Sequence, residues 1–255
     1  MICGSIIHKK KGEIPIKEAP NEFKLESTTI WSFPQRGNWA THSGEYRGNW
    51  SPYVPRNLIL RYSKKEDWIL DQFLGSGTTL IEAKLLGRNA IGVDINSEAI
   101  KLSNSNLNFI CQEKSKIFTK HGNAKNLSFI KDESINLICT HPPYANIIQY
   151  SECIPGDISC LEYDEFLNEL EQVAQEAYRV LKKQGICAFM IGDIRKKGYV
   201  LPLGMNSMQK FASAGFKLKE IIIKEQHNCK TTEYWNSIKK AFLMLAHEYI
   251  FVLEK

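Results

Sequence analysis

The chain has 255 residues, 43% of them hydrophobic and 24% charged, which is ordinary for a globular protein and enough for a real core. Lys and Arg outnumber Asp and Glu by 33 to 28, a net charge of +5 that is compatible with a nucleic-acid partner without requiring one. Seven cysteines, an odd number with no C-x-x-C spacing, argue against a disulfide framework and a zinc site, and point to free, mostly buried thiols in a reducing cytoplasm.

The first twelve residues run from a short apolar patch (Ile6, Ile7) into His8-Lys9-Lys10-Lys11, too short and in the wrong order for a signal peptide. No stretch nears the ~18 apolar residues of a membrane span. A soluble, cytoplasmic protein is therefore expected. Residues 1–28 are polar and without period and read as a loosely ordered arm, leaving 29–255 as a single domain. Residues 29–56 interleave Trp31, Phe33, Trp39, Tyr46, Trp50 and Tyr53 with Arg36, Arg47, Arg56 and several turn-formers, as an ordered but irregular segment would. Its aromatic and basic side chains suit either DNA or packing over a ligand; packing is favoured for Trp31 and Trp50.

From residue 57 apolar strands alternate with helical patterns. Strands are expected at 68–70, 90–93, 116–120, 135–139 and 186–191, and helices at 78–86 (closed by Gly87) and 97–108. The longest helix, 164–183, places Leu167, Leu170, Val173, Ala174, Ala177, Val180 and Leu181 on one face. A short helix at 207–213 precedes two strand runs, 218–224 and 242–253, with no crossover helix between them. The alternation implies an α/β fold with a doubly wound, mostly parallel sheet; the last two strands should be antiparallel.

Three motifs carry chemistry. The first is Asp71-Gln72-Phe73-Leu74-Gly75-Ser76-Gly77-Thr78-Thr79, between a strand and a helix. Gly-x-Gly lets a ligand approach the backbone closely, although a tight turn would use it too. A phosphate-binding loop would need Lys after Gly77, and a dinucleotide fingerprint a small residue at Leu80, so the first is removed and the second weakened. The second motif is Asp94, ending the next strand, where a carboxylate accepts both ribose hydroxyls of an adenosine or simply stabilises a helix start. Together these say nucleoside and no more. The third is Thr140-His141-Pro142-Pro143-Tyr144, after the fourth strand. Two prolines stop the strand and leave the Pro142 carbonyl without a ladder partner. A polar side chain, a free carbonyl and an aromatic ring within four residues suit an amino group on a flat base.

The runs 73–79, 86–95 and 141–144 resemble the DNA amino-methyltransferases, which methylate N4 of cytosine or N6 of adenine. The likeness is specific over about residues 55–150 and weaker but consistent beyond. Pro55-Arg56-Asn57-Leu58-Ile59 is similar to the helix before the family's cofactor loop, and Ala246-His247-Glu248-Tyr249-Ile250-Phe251-Val252 to its last strand. The resemblance implies the Rossmann-like methyltransferase fold and S-adenosyl-L-methionine as cofactor. It assigns cofactor binding to Asp71, Phe73, Gly75, Ser76, Gly77, Thr78, Thr79, Asp94, Ile95, Asn123 and Ala124, and catalysis to His141, Pro142, Pro143 and Tyr144. Two departures stand out: His141 replaces the usual Asp, Asn or Ser, and Gly122-Asn123-Ala124 replaces Gly-Asp-Ala.

The implied mechanism is direct transfer, with His141 and the Pro142 carbonyl accepting the two amino hydrogens and Tyr144 stacking on a flipped base. A neutral imidazole is required, and with an ordinary pKa of ~6.5 the rate should fall as pH drops through about 6 to 7. C5 methylation is disfavoured because no cysteine follows a proline. Arg195, Lys196 and Lys197 are candidates for DNA phosphates, or a solvated cluster. The insertions at 145–163 and 226–241 leave no room for a large recognition domain, so specificity comes from those loops, a partner or a second copy. A DNA partner in a restriction-modification setting is expected, with no metal and no membrane. The rival readings are an RNA guanine-N2 methyltransferase and a catalytically silent nucleoside-binding module; Thr140 favours cytosine as the base.

Overall fold

A computed structural model describes residues 19–20, 22–147, 151, 154–227 and 243–255. Residues 1–18 and 21 of the expected 1–28 arm and most of the 226–241 insertion lie outside the described residues. Eight strands form one sheet in the order β1-β9-β10-β6-β5-β2-β3-β4, with β1 Ile30–Trp31, β2 Trp68–Asp71, β3 Asn89–Asp94, β4 Ile117–His121, β5 Ile135–Thr140, β6 Leu181–Ile191, β9 Lys217–Glu225 and β10 His247–Glu254. Neighbours pair in parallel except around β10, which runs antiparallel to both β6 and β9. The fold is therefore the expected mostly parallel α/β sheet with an antiparallel C-terminal pair. β10 inserts between β6 and β9, so its reversal needs no crossover helix.

Burial on both faces explains the unbroken apolar runs in the central strands. Along β6, Cys187, Phe189 and Ile191 enter one core while Ile186, Ala188 and Met190 enter the other. The first core holds α4 (Tyr163–Val180) and α5 (Leu203–Ser213), with Phe189 stacked on Phe211 at 4.3 Å. The second holds α1 (Tyr53–Tyr62), α2 (Thr78–Leu85), Trp31 and Trp50. The expected face of α4 is buried throughout, but the helix stops at Val180 instead of 183. Leu181 leaves the helix at ψ 137 and opens β6, because pairing with Ile135 outweighs the helical propensity of Lys182 and Lys183. α5 begins at Leu203, four residues before the expected start.

Not read as such from the sequence alone are β1, the start of α1 at Tyr53, the 3-10 turns Ala145–Ile147 and Ile158–Cys160, and the hairpin of β7 (Ile194–Lys196) and β8 (Tyr199–Leu201). Near the N-terminus, Phe23 stacks on Tyr53 at 6.0 Å and Glu26 N donates to Asn57 Oδ1 at 2.9 Å. Cys111, Cys139 and Cys187 are free thiols, as expected, but Cys160 is disulfide-bonded, contrary to the expectation for the whole set. No helix among the described residues is long and apolar enough to cross a membrane, and none of their His, Cys, Asp and Glu side chains cluster as a metal site.

Candidate active site

Asp71, Asp94 and Thr140 end β2, β3 and β5, so the three motifs meet at the carboxyl edge of adjacent parallel strands, where the strand order reverses. A cleft opens there. Of the expected cofactor residues, Asp71, Phe73, Gly75, Ser76, Asp94, Ile95, Asn123 and Ala124 line it, together with His141 and Pro143 of the proline loop. Gly77, Thr78, Thr79, Pro142 and Tyr144 do not line it. Arg195, Lys196 and Lys197 sit on the β7–β8 hairpin.

The glycine turn has its shape for identifiable reasons. Gly75 and Gly77 have φ of +52° and +90°, and Gly77 is the N-cap of α2. Asp94 fixes the turn by accepting from Gly75 N at 2.8 Å and from Asn96 N at 2.9 Å, one on each oxygen. Each oxygen keeps further accepting capacity, and Asp94 lines the cleft. Burial raises the Asp94 carboxyl above its ordinary value, against the pull of these two backbone bonds.

Asp71 is differently placed. Its oxygens accept from Thr79 Oγ1 at 2.6 Å, Thr140 Oγ1 at 2.7 Å and Phe73 N at 3.1 Å, tying the turn to β5. Burial raises its pKa to about 6, with those three bonds opposing. Asp71 thus holds the frame, and little of its accepting capacity remains for a ligand.

Two further walls were not anticipated as a set. Tyr46, Gly48, Asn49 and Trp50 form one side, and Gly156, Asp157, Ile158 and Ser159 another. Arg36 pins the first wall through its Nη1 to Asn49 O and its Nη2 to Trp50 O, both at 2.7 Å. Buried Glu82 of α2 holds the same segment, accepting from Trp39 Nε1 at 2.6 Å and Arg56 Nη1 at 2.8 Å, with His42 Nε2 at 2.7 Å. In the second wall Gly156 has φ +93°, and a Cβ there would stand 2.5 Å from Asn123 Nδ2. The aromatic and turn residues of 29–56 were the sequence signal for the first wall; Pro155-Gly156-Asp157 was an unused turn signal for the second.

The His141 ring lies over Trp50 at 5.5 Å with 20° between planes, and its Nε2 is 3.0 Å from the Tyr144 hydroxyl. That hydroxyl donates to Glu248 Oε1 at 2.6 Å, and Glu248 Oε2 accepts from Lys224 Nζ at 2.9 Å. Lys224 and Glu248 are direct cross-strand partners on β9 and β10. With the phenol hydrogen spent on Glu248, the His141 contact requires hydrogen on Nε2. Burial lowers the His141 pKa to about 4, opposed by the Glu248 carboxylate and a hydrogen bond from the ring to the Gly48 backbone. The expected ordinary histidine, and with it an acid limb at about pH 6 to 7, is corrected: desolvation under Trp50 moves the titration well down. Glu248 is pushed up by burial but ends below its ordinary value, held there by Lys224, His141 and the Tyr144 bond. No donor among the described residues bonds the Pro142 carbonyl.

A DNA methylase family model matches residues 5–105 and 135–255, and an RMKL-like methyltransferase domain model matches 58–191. A type II methyltransferase of Lactococcus lactis subsp. cremoris is 46% identical over 56 residues, 22% of this chain and 21% of that protein. One from Methanothermobacter thermautotrophicus is 29% identical over 152 residues, 52% of this chain and 43% of that one. The matched stretches span 20–27% of the length of the first three curated relatives. Among solved structures, a SAM-dependent methyltransferase of Methanosarcina mazei superposes with a TM-score of 0.52 at 17% identity, covering 78% of this chain and 96% of that one. TrmN from Thermus thermophilus gives 0.53 at 17%, covering 82% and 50%. At such identity these two establish the fold alone.

Proposed function

The chain belongs to the DNA methylase family, and on that premise we propose that it transfers a methyl group from S-adenosyl-L-methionine to an exocyclic amino group, N4 of cytosine or N6 of adenine, of a base in DNA. One observation carries the reading: Gly75 and Asp94 line one cleft with His141 and Pro143, beside a Pro142 carbonyl that no donor among the described residues bonds. The catalytic domain proposed is 29–255, and the protein is proposed to act in the cytoplasm.

The cleft fits the cofactor. Asp94 offers its remaining lone pairs to the ribose hydroxyls. Gly75 gives close approach to the backbone, and Asn123 beneath Gly156 closes the end proposed for the adenine. When bound, S-adenosylmethionine supplies an electrophilic sulfonium methyl. The protein's part is then orientation. The Pro142 carbonyl accepts one hydrogen of the target amine. His141, which lines the cleft, is the side chain proposed to accept the other, and its lowered pKa keeps the ring neutral, and so able to accept, at neutral pH. Tyr144 is a positioning residue, held by Glu248 and tied to the His141 ring; stacking on the base passes from Tyr144 to the aromatic rings that do line the cleft, among them Tyr46, Trp50 and Phe73.

The test is incorporation of tritiated methyl into unmethylated duplex DNA and into RNA, followed by digestion to nucleosides. Label in N4-methylcytosine or N6-methyladenine is expected. Label in RNA guanine alone, or in neither polymer, overturns the reading.

A further inference from the structure

The β7–β8 hairpin is left over by the site. It is a three-residue ribbon closed by Lys197 and Gly198, both with positive φ (+51° and +86°), so the turn is tight and rigid. Ile194 is buried at its root, while Tyr199 at its tip is 78% exposed and nothing lies within 4 Å of where a Cβ on Gly198 would be. Arg195 braces the ribbon, donating to Gly198 O at 2.7 Å and to Leu243 O at 2.8 Å. The result is a ledge carrying exposed Tyr199, Val200, Leu243 and Met244 next to Lys196 and Lys197.

The ledge is rooted on the proline loop. A Cβ on Gly192, two residues before β7, would stand 3.2 Å from Tyr144 Cε2. Glu162 accepts from Asn146 Nδ2, two residues past Tyr144, at 2.5 Å and from Lys196 Nζ at 2.9 Å. An exposed pair of this kind contributes little, so Lys196 can exchange Glu162 for a phosphate at small cost.

We propose that this hairpin is the element that grips duplex DNA beside the target: Lys196 and Lys197 neutralise backbone phosphates, and the Tyr199 ring occupies the stack vacated by the flipped base. This rests on the duplex-DNA reading given above. An amino group buried in a base pair reaches the cleft only if the base leaves the stack, and the gap costs a few kcal/mol per step unless something fills it. A tight hairpin with an aromatic tip flanked by cations, its root packed against the proline loop, matches that requirement in shape and charge.

The experiment uses the full chain. Wild type, Tyr199→Ala, Tyr199→Trp and the double variant Lys196→Ala/Lys197→Ala are compared on an oligonucleotide duplex containing the site that wild type methylates in plasmid DNA. A second duplex carries the same target base mispaired. Tyr199→Ala should lose about 10- to 100-fold in kcat/KM on the paired duplex and stay within about twofold of wild type on the mispaired one. Tyr199→Trp should be near wild type on both. By anisotropy of a labelled 30-bp duplex, the double variant should lower the slope of log affinity against log salt by about 2. Equal activity of Tyr199→Ala and wild type on the paired duplex, or equal losses on both duplexes, overturns the wedge. An unchanged salt slope accompanied by a changed sedimentation coefficient assigns the ledge to protein contact and also overturns it. Should wild type methylate no DNA, the functional reading fails, and the anisotropy slopes alone decide whether this surface holds duplex.

Discussion

Lowering the pH from 7 to 5 tests what burial has done to His141. With its pKa lowered to about 4, the ring is still about nine-tenths neutral at pH 5, whereas a hydrated histidine at ~6.5 would be about 3% neutral. The two cases differ about 30-fold in the form able to accept a hydrogen bond. A stability effect accompanies this. The folded pKa lies below the unfolded one, so the unfolded chain binds the extra proton first. Stability attributable to His141 is full above about 6.5 and is lost as pH falls through the window down to about 4, by up to about 3 kcal/mol. Asp71 runs the other way: its carboxyl, raised to about 6, makes the folded state the better proton acceptor between ~3.9 and about 6, so stability from that group grows as pH falls. The assay is NMR titration of ¹⁵N-labelled histidines, with His141→Gln identifying the resonance among six, and urea unfolding of wild type, His141→Gln and Asp71→Asn from pH 4 to 7.5. The His141→Gln minus wild-type stability difference should shift by about 3 kcal/mol across that range in favour of the variant at low pH. A His141 ring that titrates near 6.5 in the folded protein refutes the argument. An acid limb near pH 6 in the methylation rate that disappears in Asp71→Asn belongs to Asp71 instead.

Asp94→Asn should weaken S-adenosylmethionine binding by about 10- to 100-fold, measured by calorimetry, because an amide cannot accept on both sides; an unchanged Kd discards the ribose role. Gly156→Ala forces a left-handed residue and a Cβ 2.5 Å from Asn123 Nδ2, so cofactor affinity should drop at least about tenfold with the fold retained. A wild-type Kd would mean that the 156–159 wall does not touch the cofactor. Glu82→Ala leaves Arg56, Trp39 and His42 without their shared acceptor and should cost about 3–5 kcal/mol in urea unfolding; a loss under about 1 kcal/mol would show that the cluster is not needed.

Much of the sheet was legible because its period is local. Ile135-Asn136-Leu137-Ile138-Cys139 is a buried strand by composition, and Leu167 to Val180 repeat at helical spacing whatever surrounds them. The Gly75 turn, Asp94 and the proline loop were legible because backbone freedom and acceptor chemistry belong to residue types. The short β7–β8 hairpin was not, since Arg195-Lys196-Lys197 reads equally as a solvated cluster and only the turn at Lys197-Gly198 hints at a ribbon.

What the sequence determined by itself is the central strands of the sheet and the chemical character of three loops, because these follow from side-chain type and spacing within a few residues. Which polar groups face a ligand and which are spent on the protein was decided only by the tertiary structure. Asp71 reads as a ligand acceptor and is consumed by Thr79, Thr140 and Phe73 N; Glu82, which no motif singled out, is the buried anchor of the 36–56 segment; His141 reads as an ordinary histidine and is desolvated under Trp50. Each outcome depends on partners far off in the chain: Asp71 on Thr140, 69 residues away, Glu82 on Trp39, 43 residues away, and His141 on Trp50. Desolvation and pairing are set by what the fold brings together, and no local pattern encodes that.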